Sequence, residues 1–451
     1  MTFERSQIPD PVLHVLRRLR ERGFQAFLVG GCVRDMVRGE KPKDFDVATN
    51  ARPQDVQRAF SKTIPTGIQH GTVTVLSQGH PIEVTTFRTE GAYLDARRPS
   101  SVEFRDDVRE DLARRDFTIN AMAYDPLADE LIDPFGGQQD LKAGVVRAVG
   151  DPAARFAEDG LRPLRAVRFA AVLGFALDPA TEAAIPGTLP SFRKVALERV
   201  REEFSRLVLS PRPERGIELL QRTGLLGAFL PELEACRGQA QDETYLGDVF
   251  EHAVAATALA PPALEVRLTA LLHDIGKPPT AQSSSGGVSF ADHDRVGERM
   301  AGEVLLRLRY PTRTIEAVAQ MVRAHLFDGD AEWTDGALRR FVSRFGAALL
   351  DPFFDFLEAD RASRSDGAHR RAKVRHVRER ITSLLAQNPP LSAKDLALDG
   401  NEIMRVLGVG PSPAVGEATR FLVEQVLEDP SLNTAPRLTA LLEGWARQRG
   451  H

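Results

Sequence analysis

LVGGCVRDMVRGEKPKDFDVATN, residues Leu28–Asn50, is the stretch around which the first part of the chain is organised. It continues an apolar run from Ala26, so Ala26–Val29 reads as a strand. Gly30 and Gly31 then allow a sharp turn and leave no Cβ between their N–H groups and a ligand. Val33–Arg38 reads as a short helix, which puts the two glycines at a helix N-terminus, a setting suited to phosphate. After a turn comes Asp44-Phe45-Asp46. In a strand, that spacing places both carboxylates on one face and Phe45 on the other. Adjacent like charges repel unless neutralised, and hard divalent cations prefer oxygen ligands. Two such carboxylates can hold a pair of Mg²⁺ ions roughly 3.5–4 Å apart for in-line phosphoryl or nucleotidyl transfer. A solvated strand end is the alternative, and the Gly-Gly turn just upstream brings the metal reading level with it.

Working outward, residues 10–22 carry Val12, Leu13, Leu16 and Leu19 on one stripe, a helix stopped by Gly23. Pro53–Phe60 reads as another helix. Gly71–Leu76 and Pro81–Phe87 flank Gly79-His80 and read as a hairpin. Within it, Glu83 alternates with apolar residues. It is either a surface glutamate or a third carboxylate beside the Asp44/Asp46 pair, where it would help deprotonate an attacking hydroxyl. Residues 88–115 are arginine-rich, contain Tyr93 and Arg97-Arg98-Pro99, lack periodicity and read as a mobile loop. In Arg114-Arg115-Asp116-Phe117-Thr118-Ile119-Asn120, the arginines suit triphosphate oxygens and the Asp or Asn suits ribose hydroxyls. A solvated face fits the arginines as well.

From Asp151 the chain turns helical. Asp159 and Arg162, at i and i+3 of one helix, form either an intrahelical ion pair or an acceptor–donor set that reads the edge of C or A without a template. Arg165 and Arg168 follow on the same segment. At 451 residues, about two to four domains are expected. With 42% apolar and 27% charged residues a full core is available. There is no membrane-length apolar run and no signal-type N-terminus, and Cys32 and Cys236 are the only cysteines. These features point to a cytoplasmic protein. The net charge of −4 does not by itself advertise nucleic acid binding.

The motifs GGCVRD, DFDVAT, IEVTTFR, RRDFTINAMAYDP, EDGLRPLRAVRFAA and ERVREEFSRLV occur in that order across roughly residues 24–230. Together they resemble the bacterial class II tRNA nucleotidyltransferase and poly(A) polymerase family. The resemblance implies an N-terminal α/β, polymerase-beta-like nucleotidyltransferase head followed by an all-α neck, body and tail. It implies that Asp44 and Asp46 bind Mg²⁺ with Glu83 as third carboxylate. Gly30, Gly31 and Arg34 would hold the triphosphate, and Arg115, Asp116 and Asn120 the sugar and phosphates. Asp159 and Arg162 would pair with the base, with Arg165 and Arg168 in the same nucleotide-binding set. The implied substrates are CTP, ATP and tRNA, with no membrane and no obligate protein partner. The full-length loop before the RRD motif favours CCA addition. Poly(A) polymerase and A-adding activity are the alternatives within the family.

A second set of residues lies beyond about residue 245. His252, His273-Asp274, His293, His325 and Asp360 can converge on divalent metal: Mn, Ni, Co or Fe, with Mg at oxygen-rich positions. Their order resembles the two-metal HD phosphohydrolase domain and implies hydrolysis of phosphomonoesters or 2′,3′-cyclic phosphates. A chain that is mainly such a hydrolase is the alternative from another class. Gln282–Gly287 reads as a flexible loop. In the basic segment Arg361–Arg380, the residues Arg370, Arg371, Lys373 and Arg375 are candidates for RNA phosphates, with a solvated helix face as the alternative. Asp399-Gly400 reads as a turn into a helix. The expected domains are a head over 1–150, a neck and body over 151–235, an HD domain over 236–388 and a helical tail over 389–451.

Overall fold

The computed structural model describes residues 7–90, 102–245, 247–284, 287–327 and 333–449. The chain forms two compact units that divide after Glu234, with Arg307–Arg309 grouping with the first.

The first unit opens with helix α1 (Asp10–Glu21), which buries Val12, Leu13, Val15, Leu16 and Leu19 as its apolar stripe predicts. The strands are β1 (Ala26–Val29), β2 (Asp46–Thr49), β3 (Thr63–Gly67), β4 (Thr72–Ser77), β5 (His80–Thr86), β6 (Arg88–Glu90), β7 (Val102–Phe104), β8 (Ala123–Asp125) and β9 (Glu130–Ile132). Seven of them form one sheet in the order β3-β4-β5-β2-β1-β8-β9, and β6 pairs with β7 apart from it. Every pairing in the sheet is antiparallel except that of β2 with β5. Helices α2 (Gly31–Val37), α3 (Pro53–Ala59), α4 (Val108–Ala113) and α5 (Gly137–Ala143) accompany it. Phe27, Val29, Ala48, Phe87, Val108, Leu112, Ala121, Ala123 and Val149 close one core. Within that core Phe27 stacks on Phe87 at 6.1 Å. Helices α6 (Pro152–Glu158) and α7 (Arg162–Leu173) follow, then Leu197–Val208 and Pro213–Arg222.

Three local expectations change. The first turn of α2 begins at Gly31, not Val33, because Gly30 makes the turn at φ 76°. β2 begins at Asp46, so Asp44 lies on the segment leading into the strand. The arginine-rich stretch is not uniformly a loop. Arg88–Glu90 pairs with Val102–Phe104, and Asp107 caps α4 by accepting from the Arg109 N–H. Tyr93 and Arg97-Arg98-Pro99 lie outside the described residues.

In the second unit the helices Val249–Leu259, Leu264–Leu272, His293–Arg307, Thr312–Ala324, Leu350–Ala362 and Gly367–Leu385 surround an aromatic core that includes Phe327, Phe345, Phe353, Phe354 and Phe356. Such side chains contribute about 1.5–3 kcal/mol each on burial. Gln282–Gly287 falls largely in a hairpin, Ala281–Ser284 against Gly287–Phe290, with residues 285–286 outside the described set. Asp399 caps Gly400–Leu407 through a reciprocal bond with Glu402, so the expected turn into a helix is present. Leu398, Ile403, Leu422, Val426, Leu438, Leu442 and Trp445 form a small core of their own at the C-terminal end. Among the described residues no helix is long and apolar enough to cross a membrane.

A Cβ on Gly137 would sit 2.4 Å from the Thr118 carbonyl oxygen and 3.0 Å from Met122. Gly137→Ala must therefore displace the turn Thr118–Asn120, and we expect a loss of about 1–3 kcal/mol, read as a lower urea midpoint for the first unit.

Candidate active site and candidate metal centre

The parallel pairing of β2 with β5 sets Asp46 directly beside Glu83. Asp44, Asp46 and Glu83 are all solvent-facing and line one cleft with Lys41 and Lys43. Asp44 and Asp46 also line a second cleft, of about 710 Å³, with Gly31, Arg34, Arg38 and Arg212. Partial desolvation and then the Glu83 carboxylate raise the Asp46 carboxyl above its ordinary range, against the pull of Arg115. The three carboxylates share one solvent-open cleft, and oxygen donors of their type suit a hard divalent cation, but among the described residues their oxygens do not gather within 4.8 Å of one another.

Gly30 explains itself by what lies against it: a Cβ there would stand 2.8 Å from Arg115 Nη1. Arg34 donates to Asn120 Oδ1 at 3.0 Å and to Asp35 at 2.8 Å. Arg115 pairs with the buried Asp111 at 3.3 Å. Gly30, Arg34, Arg115 and Asn120 are thus one connected group.

A third, wholly polar cleft is lined by Arg114, Arg115, Asp116, Asp159, Arg162, Arg165 and Arg199. Asp116 accepts from Arg165 at 2.9 and 2.6 Å. Burial alone would raise the Asp116 carboxyl, but Arg165 outweighs it and holds the group below the ordinary carboxylate range. Asp159 and Arg162 are not neighbours on one helix, because α6 ends at Glu158 and Asp159 is extended. Asp159 instead takes a two-pronged bond from Arg199, at 2.7 and 3.2 Å. Arg162 pairs with Glu158 and donates to the carbonyls of Arg155 and Arg114 at 2.9 and 3.1 Å. Arg168 does not line this cleft. It is buried against Glu203 and lies 3.7 Å over the Phe169 ring. Arg199, which lines the cleft, and Glu203, which pairs with Arg165 and Arg168 behind it, are absent from the sequence expectations, although both stand in ERVREEF, one helical turn apart on Leu197–Val208.

In the second unit His252, His273, Asp274, His293, His325 and Asp360 come together. His252 and His273 Nε2 are 3.2 Å apart, and His293 and His325 Nε2 are 3.1 Å apart. Asp274 joins both groups, with Oδ2 3.1 Å from His273 and Oδ1 3.6 Å from His325. Asp360 Oδ1 lies 2.9 Å from His252 Nε2. The Nδ1 atoms of His273, His293 and His325 lie 2.9, 2.6 and 2.7 Å from the carbonyls of Ala270, Phe290 and Val322. A carbonyl only accepts, so each Nδ1 carries the proton and each Nε2 presents a lone pair. His252 Nδ1 meets Ser363 Oγ at 3.0 Å, and that hydroxyl donates to the Asp360 carbonyl. Four lone pairs therefore converge in facing pairs, and Asp360 Oδ1 is buried without a hydrogen bond. Facing lone pairs repel, and a cation between them removes the repulsion, so these residues fit divalent metal. Burial pushes the His325 imidazole down to about 3, which keeps it neutral. Burial would raise the Asp274 carboxyl, but His273 and Lys277 hold it well below the ordinary range.

The arginines of the basic segment carry ion pairs. Arg370 pairs with Asp366, and Arg371 and Arg375 both pair with Glu358 on Leu350–Ala362. These pairs lie on a partly exposed helix face, so the RNA-phosphate reading of Arg370, Arg371, Lys373 and Arg375 stands beside that of an ion-paired face.

Fold and geometry together define a class: a nucleotidyltransferase-type head followed along the chain by an HD-type metal unit. Residues 26–147 match the family described as poly A polymerase head domain, 174–237 the probable RNA and SrmB-binding site of polymerase A, and 249–385 the HD domain. The CCA-adding enzyme of Geobacillus stearothermophilus is 47% identical over 221 residues, 49% of this chain and 54% of that protein. That of Limosilactobacillus fermentum is 46% identical over 216 residues, 48% of this chain and 54% of that protein. The chain thus spans about half the length of the curated relatives it matches. The crystal structure of the Bacillus stearothermophilus CCA-adding enzyme in complex with CTP is similar at 30% identity and a TM-score of 0.75, covering 98% of this chain and 99% of that one. The Thermotoga maritima CCA-adding enzyme complexed with tRNA shares the fold, at 18% identity and a TM-score of 0.60, covering 97% of each chain. The chain belongs to the CCA-adding enzyme family.

Asp111 and Asp116 are both held below their ordinary range in the folded state. Their contribution is therefore complete above the unfolded value of about 3.9 and is lost as pH falls through the lower folded values. The urea midpoint of the first unit should hold from pH 7 to 5 and drop below about pH 4, and Asp116→Asn should flatten part of that drop. In the second unit, elemental analysis after dialysis against Mn²⁺ should show that Asp274→Asn removes all metal bound there, and that His293→Ala removes about half.

Proposed function

We propose that the chain is a template-independent nucleotidyltransferase that adds CCA to tRNA 3′ ends from CTP and ATP. The observation that carries this reading is the register that sets Asp46 beside Glu83, with Asp44 and the Gly30–Arg115 contact adjoining. The acceptor 3′-oxygen bonds to the α-phosphorus, the bond from that phosphorus to the β-bridging oxygen breaks, and pyrophosphate leaves. Arg34 and Arg115 bind the phosphates, Asp116 and Asn120 orient the sugar, and Glu83 takes the hydroxyl proton. Asp44 and Asp46 would hold Mg²⁺, which supplies charge neutralisation at the phosphates.

Asp159 and Arg162 are the base-reading pair in this proposal, and their bonding supports it. The three bonds Arg162 makes leave Nε and one Nη2 hydrogen for a ligand. Asp159 accepts from Arg199 and from the Leu161 N–H and keeps acceptor capacity. Donors beside a pure acceptor suit C and A, each of which offers an amino group next to a ring-nitrogen acceptor. U and G offer a carbonyl next to a ring N–H instead.

A second reading rests on the converging Nε2 atoms. The second unit would hydrolyse phosphomonoesters or 2′,3′-cyclic phosphates, with Mn, Ni, Co, Fe or Mg held by the four histidines, Asp274 and Asp360. Cys32 and Cys236 are free and buried, a cysteine usage that fits the reducing cytoplasm.

The test is purified protein with Mg²⁺ and tRNA ending at the discriminator base, given CTP, ATP or both, with the product ends sequenced. CC from CTP and CCA from both nucleotides is the expected result. Addition only of a final A, or of long A-tails, would replace it with the A-adding or poly(A) alternative. Asp46→Ala should lower incorporation by about a hundredfold or more.

A further inference from the structure

Arg364 stands four residues beyond Asp360, just after the helix Leu350–Ala362. Its side chain is only about 10% exposed, and its Nη2 is 3.8 Å from Asp360 Oδ2, too far for a hydrogen bond. The Asp360 carboxylate is already taken by Arg361 and faces His252. Arg364 Nε is buried and donates to nothing. A buried guanidinium N–H without an acceptor is costly, and an incoming acceptor group removes that cost. The guanidinium is meanwhile fixed in place, lying 4.0 Å over the Tyr245 ring, and the backbones of Tyr245 and Arg364 pair. Lys277 lies 4.1 Å from the same ring, with Nζ 2.7 Å from Asp274 Oδ2 and 2.9 Å from Gln241. Tyr245 thus holds two cations, each leaning on one of the two carboxylates of the metal centre, and its own ring edge meets His252 at 4.8 Å.

We propose that Arg364 is a phosphate-binding residue of the histidine–aspartate centre, with Lys277 as its counterpart across Tyr245, and that the substrate class is a phosphomonoester. The inference rests on the hydrolase reading of that centre. The Arg364 fork offers Nε and Nη donors in the parallel arrangement that two phosphate oxygens accept. Metal bound to Asp274 and Asp360 would satisfy those carboxylates and leave both cations to the ligand. Two cations beside the metal favour a terminal phosphate with two negative charges over a singly charged cyclic diester. Tyr245 acts only as the platform that orients them.

The test is a titration of the Co²⁺-loaded full chain with inorganic phosphate, 2′-AMP and 2′,3′-cyclic AMP. It is followed by the visible absorption of cobalt, with a His273→Ala protein as background and cobalt content measured alongside. Arg364→Met should weaken phosphate and 2′-AMP binding about tenfold or more at unchanged cobalt content, with Arg364→Lys in between, and should narrow the preference for 2′-AMP over the cyclic form. Equal affinities in wild type and Arg364→Met would overturn the assignment. Loss of cobalt in both Arg364 variants would also overturn it, making the residue a support of the fold. A wild-type protein that binds cobalt but shows no response to any phosphate would remove the hydrolase reading itself, a result distinct from one confined to Arg364.

Discussion

Most of what the first unit can do depends on one forced juxtaposition, the parallel register that lays Asp46 against Glu83 in a sheet whose other pairings are antiparallel. Like charges directly opposite destabilise a strand pair. The pairing persists because apolar positions on the same two strands, Val47 and Val84, are fully buried, so a slip of one residue would expose both. The core thus fixes a register that the carboxylates would not choose. What relieves the repulsion is positive charge, partly from Arg115, which reaches Asp46 across a gap that only a residue without Cβ leaves open. Gly30 is therefore as much a part of the carboxylate cluster as the acids are.

The histidine centre solves a related problem by local geometry. His273, His293 and His325 each donate Nδ1–H to the carbonyl three residues back. His273 and His325 do so as the residues that end their helices, and the Val322 carbonyl accepts from the His325 N–H as well. The backbone thereby sets the tautomer, and the Nε2 lone pairs point inward before any ligand arrives. Asp274, adjacent to His273, can then face both groups at once with its two oxygens.

How far this was legible in the sequence follows from how local each signal is. The Gly-Gly turn, the Asp-x-Asp pair, the hairpin carrying Glu83 and the six metal-type residues were all readable, because each is carried by spacing within one element or by residue type. The expected helical partnership of Asp159 with Arg162 fails, since i and i+3 spacing says nothing about a helix that ends just before them. For Arg168 and the arginines of Gly367–Leu385 the sequence leaves the partner open for another reason. Arginine in a sequence carries charge but not its partner, and here Glu203 and Glu358, distant in sequence, take that charge. Arg199 was overlooked although its motif was in view, because its role exists only where its helix meets the α6–α7 junction.

The ion pairs of the third cleft also bear on how a protein surface reads a base. A flexible Arg or Asp would adapt to any base edge and discriminate little. Here Arg162 is tied to Glu158 and to two carbonyls, and Asp159 is clamped by both prongs of Arg199. What each side chain has left to offer is therefore fixed in number and direction before a nucleotide enters. Preorganisation of this kind converts a mismatched hydrogen-bond pattern into unpaired buried groups instead of a small adjustment, and unpaired groups are what make discrimination steep. On the proposed role of this pair, selection of C and A would thus reside less in the two reading residues than in Arg199, Glu158 and the Arg114 carbonyl that deny them freedom.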